Sequence, residues 1–159
     1  MTTLHETSAI DKNLADLGIT LPDAPAAAGN YVPYVVVGDM VYISGQVAMN
    51  ADGFVVGKLG DDTDVAAGAE AAKLCAISLL SQLKAACGGD LGRVQQVVKL
   101  GGFVNSTPDF GEQPAVINGA SDLMVAVFGD KGRHARAAVS AASLPFGVSV
   151  EIEGTFQIK

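Results

Sequence analysis

Tryptophan is missing from this chain, cysteine and histidine occur twice each, and no apolar run approaches the ~20 residues that a membrane-crossing helix requires. Each shortage removes a class of function. His5 and His134 lie at opposite ends of the sequence, so a metal centre would need several scattered carboxylates to converge, and no metal is expected. Cys75 and Cys87 fall within one predicted helix, twelve residues apart. That spacing is ~18 Å of helix, far beyond disulfide reach, so both read as reduced thiols serving as small apolar filler in a reducing compartment. Basic residues are outnumbered, 10 Lys and Arg against 17 Asp and Glu, for a net charge of −7. Such a surface repels phosphate backbones and anionic lipid, and neither nucleic acid nor a membrane is an expected partner. The opening residues Met1-Thr2-Thr3-Leu4-His5-Glu6 lack the basic start and apolar run of an export signal, which makes the cytoplasm the expected location.

Familiar catalytic motifs are missing too. There is no Gly-x-x-x-x-Gly-Lys phosphate loop, no Gly-x-Gly-x-x-Gly turn, no Cys-x-x-Cys pair, no His-Glu-x-x-His helix and no Gly-x-Ser-x-Gly elbow.

What is present is one domain's worth of patterned chain: 159 residues, 49% of them hydrophobic. Ile10, Leu14 and Leu17 at helical spacing predict a short amphipathic helix over residues 5–18, ending at Gly18. With the proline- and alanine-rich loop after it, residues 1–23 form an N-terminal extension to a core at 24–159. Val35-Val36-Val37, a Gly38-Asp39 turn and Met40-Val41-Tyr42-Ile43-Ser44 predict two hairpin-linked strands. Residues 50–62, rich in glycine and aspartate, read as an exposed connection. Asp62 or Thr63 is expected to cap a long helix running to about Ala86, stopped by Gly88-Gly89.

Residues 94–104 predict a strand with Val98, Leu100, Gly102 and Val104 on one face. A second long helix is expected from Pro114 to Gly129, burying Val116, Ile117, Ala120, Leu123, Met124, Val127 and Phe128. Residues 135–142 and 148–157 read as a C-terminal hairpin turning at Leu144-Pro145-Phe146-Gly147. The order suits an α+β fold, a mixed or antiparallel sheet with two long helices on one face. The sheet's other face stays uncovered, and if it is apolar, oligomerisation through it is the natural remedy.

Chemistry then rests on a few polar residues in apolar strands. Alternation puts His134 and Arg136 on one face of their strand, and Glu151 and Glu153 on one face of theirs. A strand arginine is a rigid two-pronged clamp for a carboxylate, and a glutamate nearby can position water or move a proton. A plain surface ion pair is the alternative. In the expected hairpin Arg136 faces residue 155, leaving Glu151 four residues away, ~13 Å along the strand. A site using both would therefore need a neighbouring subunit or a different register.

Ala135-Arg136, Leu144-Pro145 and Val150-Glu151-Ile152-Glu153 resemble the C-terminal signature of the Rid (YjgF-like) family. Gly29-Asn30-Tyr31-Val32 and Val41-Tyr42-Ile43-Ser44-Gly45-Gln46-Val47 are similar to its N-terminal tyrosine region and Ser-Gly-Gln strand. The resemblance implies a chorismate-mutase-like fold assembled as a homotrimer with clefts between subunits. It also implies hydrolysis of reactive enamine and imine acids, such as 2-aminoacrylate, to 2-oxo acids and ammonia without metal or organic cofactor. Carried over by position, Arg136 grips the substrate carboxylate, Glu151 orients or activates water, Tyr31 lines the cleft, and backbone groups around Ser44 and Gly45 contact substrate, with His134 beside Arg136. The cysteine that often follows the arginine by two is Ala138 here, and the family's helical asparagine has no clean match, Asn118 lying about one turn away. A non-catalytic trimeric binder of small carboxylates is the second reading. Endoribonuclease, an activity historically attached to the family name, fits worst with the acidic charge and the lack of a histidine pair.

Overall fold

The computed structural model of the chain describes residues 8–159. Helix α1 (Ala9–Asp16) starts at Ser8, whose side-chain oxygen accepts the Asp11 N–H at 3.1 Å. It is shorter than the expected 5–18; His5 and residues 5–7 of that expectation lie outside the described residues. Leu14 is buried, and Asn13 donates its side-chain amide to the Val127 carbonyl at 2.8 Å.

Strands β1 (Tyr34–Val37) and β2 (Met40–Val47) form the expected hairpin, closed by Gly38 at φ 62°. Residues 50–62 differ from the expected exposed connection. They complete a small hairpin of β3 (Met49–Asn50) with β4 (Gly53–Phe54), and Leu59 is fully buried. Glycine and aspartate at 50–53 serve a tight turn here, which composition alone does not separate from an open loop.

Helix α2 (Val65–Ala86) is capped one residue later than expected, by Asp64 accepting the Ala67 N–H at 2.8 Å. Gly88 and Gly89, at φ 65° and 97°, end it as foreseen. Strand β5 (Val94–Asn105) carries a bulge between Val97 and Lys99, so Val97 and not Val98 joins Leu100 and Val104 in the core. Helix α3 (Gln113–Phe128) buries all seven of its expected residues.

The larger correction concerns the C-terminus. Strands β6 (Ala135–Ala141) and β7 (Val150–Ile158) are not a hairpin; the sheet order is β1-β2-β7-β5-β6. Strand β6 pairs in parallel with β5, Arg136 opposite Leu100, because α3 returns the chain to the starting edge of the sheet as a crossover. The turn that reads as a hairpin instead steps over the end of β5. Asn105 donates to the Val148 carbonyl at 3.1 Å, and the Lys58 ammonium donates to the Ala142 carbonyl and to Asn105 Oδ1, both at 2.8 Å.

Helices α2 and α3 pack on one face of this mixed sheet, so the expectation of two long helices on one face holds. None of the helices among the described residues is long and apolar enough to cross a membrane. The two helices touch through backbone. A Cβ on Gly119 of α3 would run into the carbonyl of Ala69 in α2, and no side-chain rotation relieves a clash with main chain. Gly119→Ala should therefore cost about 1–3 kcal/mol by forcing the helices apart. A lowered urea midpoint with unchanged slope checks this.

Candidate functional site

Alternation along β7 sends Val150, Ile152 and Phe156 into the helix-covered core. Glu151 and Glu153 consequently project from the open face. Strand β2 makes room for Glu151 by a bulge: Ile43 pairs with Gly154 but Gln46 pairs with Ile152, leaving one extra residue at Ser44-Gly45. A Cβ at Gly45 would lie 3.0 Å from Glu151 Cδ and 3.1 Å from its Oε2, so a glycine is the residue that lets the carboxyl lie flat on the strand.

Around that carboxyl lies a cleft of about 540 Å³ whose lining includes Pro25, Tyr31, Gly45, Phe54, Phe146 and Glu151. The lining is mostly apolar. Burial pushes the Glu151 carboxyl above the ordinary glutamate range, and the like charge of Glu153 adds to the shift. One wall is the 25–28 segment, held to α2 by Gln82 donating to the Pro25 carbonyl at 2.6 Å and, just before it, by Ser81 donating to the Pro22 carbonyl at 2.8 Å. Tyr31 is half exposed, and its hydroxyl accepts the Ala28 N–H at 3.4 Å.

Ser44 is placed otherwise. Its hydroxyl donates to the Val32 carbonyl at 2.8 Å and its N–H to the Pro33 carbonyl at 2.9 Å, so it fastens the tyrosine segment to β2 without lining the cleft.

Arg136 and His134 stand elsewhere. Arg136 is level with Leu100 and Gly154, on the helix side of the sheet, while Glu151 is level with Phe103 and Val139 on the open side. Within one chain the two are three positions apart along the strands, ~10 Å, two strands apart and on opposite faces. The hairpin geometry was mistaken, yet its consequence stands: one chain does not bring them together.

The Arg136 guanidinium is clamped to α3. Its Nη1 donates to Asn118 Oδ1 at 2.9 Å and to Ser121 Oγ at 3.1 Å, and its Nη2 to the Pro114 carbonyl at 3.1 Å. His134 completes a chain: one ring nitrogen, Nδ1, faces the Gly132 carbonyl at 2.6 Å, and Nε2 faces Ser121 Oγ at 2.8 Å. A carbonyl only accepts, so Nδ1 carries a proton. The ion-pair alternative for Arg136 fails, since the ion pairs among the described residues are Lys12–Asp16 and Arg133–Asp130. Of five guanidinium N–H groups, three are used among the described residues, leaving Nε–H and one on Nη2, a set that fits one carboxylate.

Asn118 and Ser121 are the partners that sequence reasoning missed as a set. Their spacing with Pro114, four and then three residues, marks a single helical stripe beside the buried one, and that is the signal by which they could have been found. Phe54, in the two-residue strand β4, and Phe146, in the 144–147 turn, were also missed, since neither segment is long enough to show periodicity. No three His, Cys, Asp or Glu side chains among the described residues converge as a metal site would require.

The fold agrees with what the chain resembles. Residues 11–152 match the family described as "YjgF/chorismate_mutase-like, putative endoribonuclease". The chain is 51% identical over 148 residues to Protein TCP17 of Trypanosoma cruzi, covering 92% of each. It is 31% identical over 143 residues to a 2-iminobutanoate/2-iminopropanoate deaminase of Dermatophagoides farinae, covering 89% of this chain and 95% of that one. Among solved structures, the protein Atu1372 of unknown function from Agrobacterium tumefaciens superposes with a TM-score of 0.87 at 49% identity, covering 95% and 94% of the two chains. The chain belongs to the YjgF-like (Rid) family, and its fold is the YjgF/chorismate-mutase-like one, a mixed sheet with three helices.

The Glu151 shift has a sign that stability can read. A carboxyl whose folded-state pKa lies above its unfolded value stabilises the fold below the unfolded value, and that contribution is lost as pH rises through the folded one. Glu151→Gln removes the desolvated charge and its repulsion with Glu153. The variant should be more stable than the parent at neutral pH and lose that advantage in acid, as thermal melts across the carboxylate range will register.

Proposed function

We propose that the protein hydrolyses reactive imine and enamine acids of the 2-aminoacrylate type to 2-oxo acids and ammonia, in a homotrimer whose sites join Arg136 of one copy to the Glu151 cleft of the next. The observation that carries this reading is the Arg136 guanidinium, fixed by three neutral acceptors and, among the described residues, left with two unused N–H groups and no paired acid. Such a group is a preorganised receptor for a small carboxylate.

Assembly is favoured by the open face of the sheet, where Val35, Val37, Tyr42 and Val139 remain exposed. A like copy is the natural cover for such a face. With the substrate carboxylate on Arg136 of one chain, the imine carbon would lie near Glu151 of the other.

There Glu151 takes a proton from water as the oxygen bonds to the imine carbon, and the C=N electron pair moves to nitrogen, which receives that proton from Glu151 to give the carbinolamine. Glu151 then accepts the hydroxyl proton as the carbonyl forms and returns it to the nitrogen, so that the C–N bond breaks with its electron pair leaving on ammonia. Desolvation makes Glu151 a better proton acceptor than an exposed glutamate, which suits a base working near neutrality. Similarity to the 2-iminobutanoate/2-iminopropanoate deaminase of Dermatophagoides farinae supports the same reaction class. The net charge of −7 and a cleft whose charged group is a carboxylate disfavour RNA as substrate.

2-Aminoacrylate generated in situ should disappear faster than its spontaneous rate when the protein is added. Glu151→Gln should lower kcat by about 10²–10⁴ with KM little changed, as expected for loss of a general base. Arg136→Ala should act mainly through KM. If the wild-type chain leaves the spontaneous rate untouched while still binding 2-oxo acids, the protein is a carboxylate binder and not a deaminase.

A further inference from the structure

The turn at residues 144–147 bears an unusual residue. The Gly147 N–H returns to the Leu144 carbonyl at 3.1 Å, closing a turn whose third position is Phe146 at φ 62° and ψ 10°. Phe146 is the one non-glycine residue with positive φ among the described residues. This position of such a turn favours glycine, and a side chain there costs about 1–2 kcal/mol.

The turn places a phenyl ring on the lining of the cleft. Phe146 is 56% exposed and stacks on Phe54, itself 46% exposed, with ring centroids 4.4 Å apart and planes 3° from parallel. The two rings come from separate segments that the backbone ties together: Val56 bridges Val148, and the Gly57 N–H donates to the Gly147 carbonyl at 3.1 Å. The stack is thus a fixed apolar plate, with one ring face used in the pair and ring surface still open toward the cleft.

Size points the same way. A cleft of about 540 Å³ lies within the range that accommodates ligands well above the six heavy atoms of 2-aminoacrylate. Glu151 lies on the same lining as both rings, so the reacting end of a ligand at Glu151 would extend its side chain along Pro145 toward the stack.

From these features we infer that the Phe54–Phe146 stack is a side-chain subsite, selecting imine acids with aromatic or large apolar side chains over 2-aminoacrylate and its alanine-derived counterpart. The inference rests on the deaminase reading for the word imine, but the subsite itself is a matter of binding and is tested without turnover.

Calorimetric binding of two 2-oxo acid products separates the two questions. 2-Oxo-3-phenylpropanoate should bind at least tenfold more tightly than 2-oxopropanoate. Phe146→Gly, which the turn geometry accommodates without strain, should bring that ratio to within about twofold of unity. Phe146→Tyr should retain it. Equal affinities in the parent chain, or a ratio unaltered in Phe146→Gly, would overturn the subsite even if imines are hydrolysed. In parallel, imines made in situ from phenylalanine and alanine by an L-amino-acid oxidase should show the same tenfold order in kcat/KM. Hydrolysis of neither, with the binding ratio intact, would sink the deaminase reading and leave the subsite standing as that of a binder.

Discussion

A guanidinium held by three neutral acceptors keeps its whole charge available, and the arrangement around Arg136 is of that kind. Helix α3 supplies all three acceptors from one stripe, and His134 braces the last of them, Ser121. The side chain is therefore oriented before any ligand arrives, which spares binding the ordering of a long flexible residue. Helix α3 is also the crossover that sets β6 parallel to β5. One element thus decides both where the arginine stands and how it points.

The same topology separates Arg136 from the carboxyl with which it should cooperate. Glu151 lies on the open face, against Gly45 in an apolar cleft, with its charged form disfavoured by burial and by Glu153. Among the described residues, a cation without an anion and an anion without a cation, on opposite faces of one sheet, make sense together if a second chain supplies the missing half. Glu151 holds its charge at some expense to the isolated fold, the pattern expected where function and not stability has chosen the residue.

Much of this could be read in the sequence where the pattern was periodic. All seven buried residues of α3 follow from 3.6-residue spacing, and the first hairpin from β-branched runs around Gly38-Asp39. Failures fell where a local signal was ambiguous. Leu144-Pro145-Phe146-Gly147 has the composition of a hairpin turn, but pairing partners are chosen by tertiary packing, and the crossover through α3 lets β5 come between the two strands. The bulge at Val97–Lys99 moved the core position by one residue, and bulges leave little mark in composition. Arg136 and Glu151 were legible as polar exceptions in apolar strands. Asn118 and Ser121 show in the sequence only as a helical stripe with Pro114; their tie to Arg136, like the aromatic stack, was not legible, because contacts between distant segments exist only once the chain is folded.

The central claim is that a working site takes Arg136 from one chain and Glu151 from another. Mixing Arg136→Ala chains with Glu151→Gln chains under conditions that exchange subunits tests it directly. Each variant alone lacks one half everywhere, whereas free mixing restores both halves at about a quarter of the interfaces of a cyclic assembly. The account predicts recovery of about a quarter of the wild-type rate of imine hydrolysis. A mixture that exchanges subunits yet stays as inactive as its two parents would contradict it.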